Sequence, residues 1–209
     1  MKLEGIKANF LGDSITEGHG VGNIEDVYWN ILKRECGLAE ARGYGIGGTR
    51  IAIQHYPQNP KYDQDFISRV EGMDADADLV VVFGGTNDYG HGDAPLGQMS
   101  DRSPYTFYGA CHMLTQMLIE RYPKAQLLFM TPLHRAVEER AERRLKDFVN
   151  AIRQVAEYYS VPVADLYASC GIQPQVECSR ERFCPDGLHP NEAGHRKIYQ
   201  RLRGVLETL

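Results

Sequence analysis

Ser14 lies in the stretch FLGDSITEGHG (residues 10–20), where an apolar run breaks into small and polar residues. A serine hydroxyl at such a bend can act as a nucleophile if a base takes its proton, and the segment PDGLHPN (185–191) offers His189. An unperturbed imidazole titrates near neutrality, so it can accept a proton and give it back. Asp186 stands three residues before His189, which lets one short segment present carboxylate and imidazole together and fix the useful tautomer. Acyl transfer also needs donors for the oxygen that turns negative. The backbone N–H groups of Ser14 and of Gly48 in GYGIGGT (43–49), with the side-chain amide of Asn87 in GGTND (84–88), are candidates for that role. Gly48 has no Cβ, so backbone can approach a substrate closely there. Taken one at a time, these residues have plainer readings: Ser14 as a helix cap, Asn87 and Asp88 as a turn, Asp186 and His189 as a capping pair. Together they amount to a nucleophile, a base, a group to orient the base, and an oxyanion pocket.

Such a set works only if the chain gathers it in one place. Five short apolar runs read as strands: 6–11, 40–44, 79–84, 126–131 and 161–165. The third and fourth are nearly continuous, the pattern of parallel strands covered on both faces. Between them lie helix-period stretches at 25–36, 62–71, 105–121, 137–159 and 191–207. In the fourth, Val137, Ala141, Leu145, Phe148, Val149, Ile152 and Val155 recur at three- and four-residue steps among charged residues. Asn191 is placed to cap the last helix. Alternating strand and helix predicts an α/β fold, a parallel sheet with helices on both faces, formed by a single domain over 1–209. In such sheets the functional loops lie beyond the carboxyl ends of the strands, which is where Ser14, Gly48, Asn87 and His189 fall. The longest unpatterned segment, 88–104, follows the third strand and is expected to be a functional loop.

Composition narrows the partners. A net charge of −5 with interspersed signs argues against nucleic acid or an anionic membrane surface and suits a small neutral substrate. Residues 1–8 lack the apolar core of a signal peptide and no long apolar run follows, so a cytoplasmic location is expected. The five cysteines are odd in number and none is paired at a two-residue gap, which favours reduced thiols. Among Cys170, Cys178 and Cys184 a disulfide or a metal stays open. No histidine spacing demands a metal. His91 and His134 follow the third and fourth strands, where a substrate would rest, and both are assigned to the pocket. The glycines at 43–48 lack the lysine of a phosphate-binding loop. A homo-oligomer remains an option.

The same residues carry a resemblance. GDSIT (12–16), GIGGT (45–49), GTND (85–88) and DGLHPN (186–191) resemble, in order, four sequence blocks of the SGNH hydrolases, also called the GDSL lipase/esterase family. The resemblance implies Ser14 as nucleophile, Asp186 and His189 as its partners, and Ser14, Gly48 and Asn87 as oxyanion donors, with Gly47 the neighbouring alternative to Gly48. It further implies a flavodoxin-like three-layer α/β/α sandwich and ester or thioester hydrolysis through an acyl-enzyme, with no metal or cofactor. The polar 88–104 loop and the lack of an apolar lid favour a short acyl group, acetyl foremost, on a carbohydrate. A lysophospholipase or thioesterase is the alternative within the family. A flavodoxin-like protein that holds a flavin phosphate on the loop after the first strand is the alternative from another class.

Overall fold

The computed structural model describes residues 1–140 and 142–209. Among the described residues, seven strands run β1 (Lys7–Gly12), β2 (Glu40–Gly45), β3 (Leu79–Phe83), β4 (Gln126–Met130), β5 (Glu139–Arg140), β6 (Arg143–Arg144) and β7 (Val163–Ala164). The α-helices are α1 (Ser14–Glu17), α2 (Tyr28–Cys36), α3 (Phe66–Arg69), α4 (Thr86–His91), α5 (Phe107–Arg121), α6 (Leu145–Tyr158), α7 (Leu166–Ser169), α8 (Glu177–Phe183) and α9 (Glu192–Leu206).

Five strands form one parallel sheet in the order β2-β1-β3-β4-β7. The chain winds from β1 outward to β2, then crosses to β3 on the other side of β1. The direction of winding therefore reverses beside β1, and a crevice opens at the carboxyl ends of β1 and β3.

Two apolar layers sandwich the sheet, giving the three-layer α/β/α arrangement. All five residues of β3 are buried, and they alternate between the layers. Val80 and Val82 pack with the layer that holds Phe66, Phe107 and Phe148 from α3, α5 and α6. Leu79, Val81 and Phe83 face Tyr28 and Leu32 of α2 and Ile198 and Leu202 of α9. Each valine buried this way contributes roughly 1.5–3 kcal/mol. Asn191 caps α9 as its position predicts, its side chain accepting from the Gly194 N–H at 3.1 Å.

The expected helix over 137–159 is shortened. Helix α6 begins at Leu145, and residues 139–140 and 143–144 pair instead as the antiparallel strands β5 and β6. Val137 is exposed, and Ala141 lies outside the described residues. The cause is tertiary. Arg140 donates to the Gly90 carbonyl at 2.6 Å, and Arg143 donates to the carbonyls of Asp88 at 3.2 Å and Gly92 at 2.5 Å. These bonds draw the segment across the end of α4 rather than along α6. The start of the expected loop at 88–104 is likewise helical, within α4, and the stretch at 62–71 is helical only from Phe66. All five cysteines are free thiols. Among the described residues, no helix is long and apolar enough to cross a membrane.

Candidate active site

Strand β1 ends at Gly12, and the chain turns at once into the one-turn helix α1. Asp13 sets the turn, since its carboxylate accepts the Ile15 N–H at 3.0 Å. Ser14 follows on the floor of the crevice, only 5% exposed. Its Oγ lies 3.1 Å from His189 Nε2, although the two residues are 175 positions apart. On the far side of the ring, His189 Nδ1 is 2.7 Å from Asp186 Oδ2. The other Asp186 oxygen accepts the N–H groups of Leu188 at 2.8 Å and His189 at 2.6 Å. Burial alone would push the Asp186 carboxyl up, but those amides and the ring outweigh it and hold it below its ordinary value. The ionised carboxylate accepts a hydrogen bond from the Nδ1–H group, which fixes the tautomer and leaves Nε2 to accept from the serine hydroxyl. Gly187 makes this tight turn possible: its φ is +78°, and an added Cβ would stand 2.6 Å from that of Ala136.

The opposite wall is built by α4 and the loop after β2. Asn87 Nδ2 donates to the Thr49 carbonyl at 3.0 Å, and the next side chain, Asp88, accepts the N–H groups of Ile51 at 3.0 Å and Ala52 at 2.9 Å. The two residues thereby pin the loop that carries Gly48 against α4. The Gly47 N–H is occupied by Glu17 at 2.6 Å, which leaves Gly48, at φ +79°, as the glycine amide available to a ligand. His91 also reaches Asn87, with Nε2 3.2 Å from Oδ1. Arg50, which can only donate, lies 2.5 Å from His91 Nδ1 and pairs with Asp63 at 2.5 Å. Nδ1 must then accept, so Nε2 carries the proton and donates to Asn87 Oδ1. This order points the Asn87 NH₂ group toward Thr49 and the crevice. Burial first, and Arg50 second, lower the His91 pKa, so the ring stays neutral as that scheme requires.

Ser14, Gly48, Asn87, His91 and His189 all line one cavity of about 520 Å³, with Asp186 behind the His189 ring. His134, expected in the pocket, is elsewhere. Its Nδ1 bonds Glu138 at 2.6 Å and its ring packs, tilted by 34°, against Tyr167 at 3.9 Å, because the nearby carboxylate and aromatic ring capture it before it can turn to the crevice. Sequence reading missed other members of the wall: His19, 5.4 Å from the His189 ring, together with Tyr62, Arg135 and Arg140. Position after β4 could have flagged Arg135; nothing local marks the others.

Two further carboxyls lie beneath the site. Burial raises Asp13 to about 7 and Asp88 to about 6. Raised to about 7, Asp13 is only partly ionised at neutral pH, which reduces the negative charge beneath the site. Among the described residues, no group of three or more histidine, cysteine, aspartate or glutamate side chains is placed to hold a metal ion.

Comparison with known proteins identifies the family of the chain. The model of the GDSL-like lipase/acylhydrolase family matches residues 10–197. A GDSL lipase of Mycobacterium tuberculosis is 25% identical over 203 residues, covering 94% of this chain and 79% of that protein. Among solved structures, a protein from Lactobacillus plantarum superposes with a TM-score of 0.87 at 32% identity, covering 98% of each chain. An acetyl xylan esterase has the same fold, with a TM-score of 0.67 at 21% identity over 95% of this chain and 98% of the other.

Proposed function

Because the chain belongs to the GDSL-like lipase/acylhydrolase family, we propose that it is a serine esterase removing short acyl groups, acetyl foremost, from a carbohydrate. The observation that carries the reading is the alignment of Ser14 Oγ, His189 and Asp186 through contacts of 3.1 and 2.7 Å. Ser14 attacks the ester carbonyl while His189 Nε2 takes its proton, and Asp186 steadies the imidazolium. The tetrahedral oxyanion rests on the N–H groups of Ser14 and Gly48 and on Asn87 Nδ2. His189 then protonates the departing alkoxide, which leaves an acetyl group on Ser14. Water, deprotonated by the same imidazole, releases acetate and restores the serine.

The acyl preference follows from the wall. Histidine and arginine side chains share the wall with Tyr62 and Leu188, and this mixed lining favours a short acyl group over a long alkyl chain. The common fold with an acetyl xylan esterase supports a sugar ester. The test is hydrolysis of p-nitrophenyl esters. The parent should cleave the acetate, and Ser14→Ala and His189→Ala should each be inactive; an active Ser14→Ala refutes the mechanism. Across acetyl, butyryl and octanoyl esters the rate should fall with chain length, and a maximum at octanoyl would replace the acetyl reading with a long-chain one.

A further inference from the structure

Arg135 and Arg140 line the same cavity as Ser14 and His189. Arg135 Nη1 donates to the Thr86 carbonyl at 3.1 Å, and Arg140 Nη1 to the Gly90 carbonyl at 2.6 Å. Both acceptors are neutral. Both guanidinium groups also lie over the ring of Tyr89, at 5.3 and 5.6 Å from its centroid, so two like charges pack against one aromatic ring. Among the described residues, neither arginine has a carboxylate within salt-bridge distance, whereas neighbouring Arg50 is paired with Asp63. Glu139 and Glu142 flank Arg140 in sequence but make no ion pair with it among the described residues, and Glu138, the acid nearest Arg135, is already taken. One of its oxygens accepts from His134 at 2.6 Å and from the Arg135 backbone N–H at 3.1 Å, the other from the Tyr167 hydroxyl at 2.9 Å. The lining of the cavity includes no aspartate or glutamate. A chain of net charge −5 has thus gathered two unpaired cations beside its nucleophile.

A guanidinium carries five N–H donors, and most of those on Arg135 and Arg140 have no protein partner. Arg135 is half-buried and Arg140 exposed at the mouth of the cavity, so both present donors to an incoming group, and planar guanidinium donors match carboxylate and phosphate oxygens. We propose that the ester hydrolysed here carries an anionic group, a carboxylate or a phosphate, that docks on Arg135 and Arg140. The inference rests on the esterase reading and narrows its substrate class from sugars in general to acidic ones. Thr86 and Gly90 belong to α4, the helix that also carries Asn87, so the docking site and one oxyanion donor share a rigid element. An anion held there sets the distance from the substrate's charge to its scissile carbonyl.

The test compares matched pairs: a mono-acetylated methyl glucuronoside against the corresponding methyl glucoside, and the 6-phosphate of the same acetylated glucoside for the phosphate arm. At low ionic strength, kcat/KM should favour an anionic member by at least about tenfold, and added salt should erode that advantage. Which anion is preferred identifies the group. Arg135→Gln and Arg140→Gln should each cut the anionic-to-neutral ratio by about tenfold, while Arg140→Lys, which keeps the charge, should retain most of it. Equal rates on charged and neutral esters in the parent overturn the proposal. So do glutamine variants that slow both esters alike, since that would assign the arginines to the oxyanion or to holding α4. Calorimetry on the Ser14→Ala protein with methyl glucuronoside, glucose 6-phosphate and methyl glucoside reads docking without turnover. Binding of an anion but not of the neutral sugar is expected there. Failure of the esterase reading would appear separately, as absence of hydrolysis of every ester.

Discussion

Asn87 can serve an oxyanion only if its amide is held the right way round, and the sequence Asp63, Arg50, His91, Asn87 is a chain of hydrogen bonds that does so. Asn87→Ala should lower kcat by about 10²–10³-fold. His91→Ala leaves the amide present but free to turn, so kcat should fall by less, roughly tenfold, with KM nearly unchanged. Steady-state kinetics on p-nitrophenyl acetate checks both; a change confined to KM would make His91 a simple wall residue. Asp13 offers a pH test. Burial raises its folded pKa from 3.8 to about 7, so its contribution to stability is complete below about 3.8 and is lost as pH rises through about 7. Asp13→Asn keeps the acceptor for the Ile15 N–H and cannot ionise. Its melting temperature relative to the parent should therefore climb between about pH 5 and about pH 8, and a flat difference would mean the carboxyl is not buried as described. Ser14, Asp186 and His189 were legible because their spacing and loop chemistry are local. The Arg50–Asp63 support was not, for its meaning depends on His91, which reaches it only across the fold. His134 shows the converse, since position after a strand does not fix which way a ring turns when Glu138 waits four residues on.

At the scale of elements, the loop 185–191 acts as a stiff bracket. Gly187→Ala forces a Cβ into left-handed backbone, worth about 1–2 kcal/mol, and drives it toward Ala136. The bracket should shift, so turnover ought to drop more than melting temperature; full activity in this variant would show that the loop tolerates the strain elsewhere. The strands β3 and β4 could be read from sequence because continuous apolar runs mark burial on both faces, whereas β2, with Glu40, Arg42 and no buried residue, was signalled only weakly. The pair β5 and β6 could not. Residues 137–144, rich in glutamate and arginine, have good helix propensity, and only the carbonyls at the end of α4 make the extended route better. The outcome was decided by acceptors some fifty positions away in the chain. Boundaries failed for the same reason at 62–71, where Asp63 is drawn into pairing with Arg50 and helix begins only at Phe66.

Across the whole molecule, the alternation of strand and helix made the parallel sheet and its flanking layers legible, and with them the edge on which the site forms. Net charge was a poorer guide, because a sum over 209 residues says nothing of the sign of one wall. The core couples to that wall through Phe148 of α6, whose ring lies 4.9 Å from Phe107 and 6.0 Å from Tyr89 of α4. Phe148→Ala should cost about 3–5 kcal/mol in denaturant unfolding, and a loss under 1 kcal/mol would mean the layers repack freely. The nucleophile sits at the end of the first strand, and its base just before the last helix. Phe10 and Trp29 leave the ribosome well before His189, so during synthesis their contact can form before any ester can be turned over. The sole tryptophan lies near the start of synthesis and His189 near its end, so fluorescence and activity report on opposite ends of the chain.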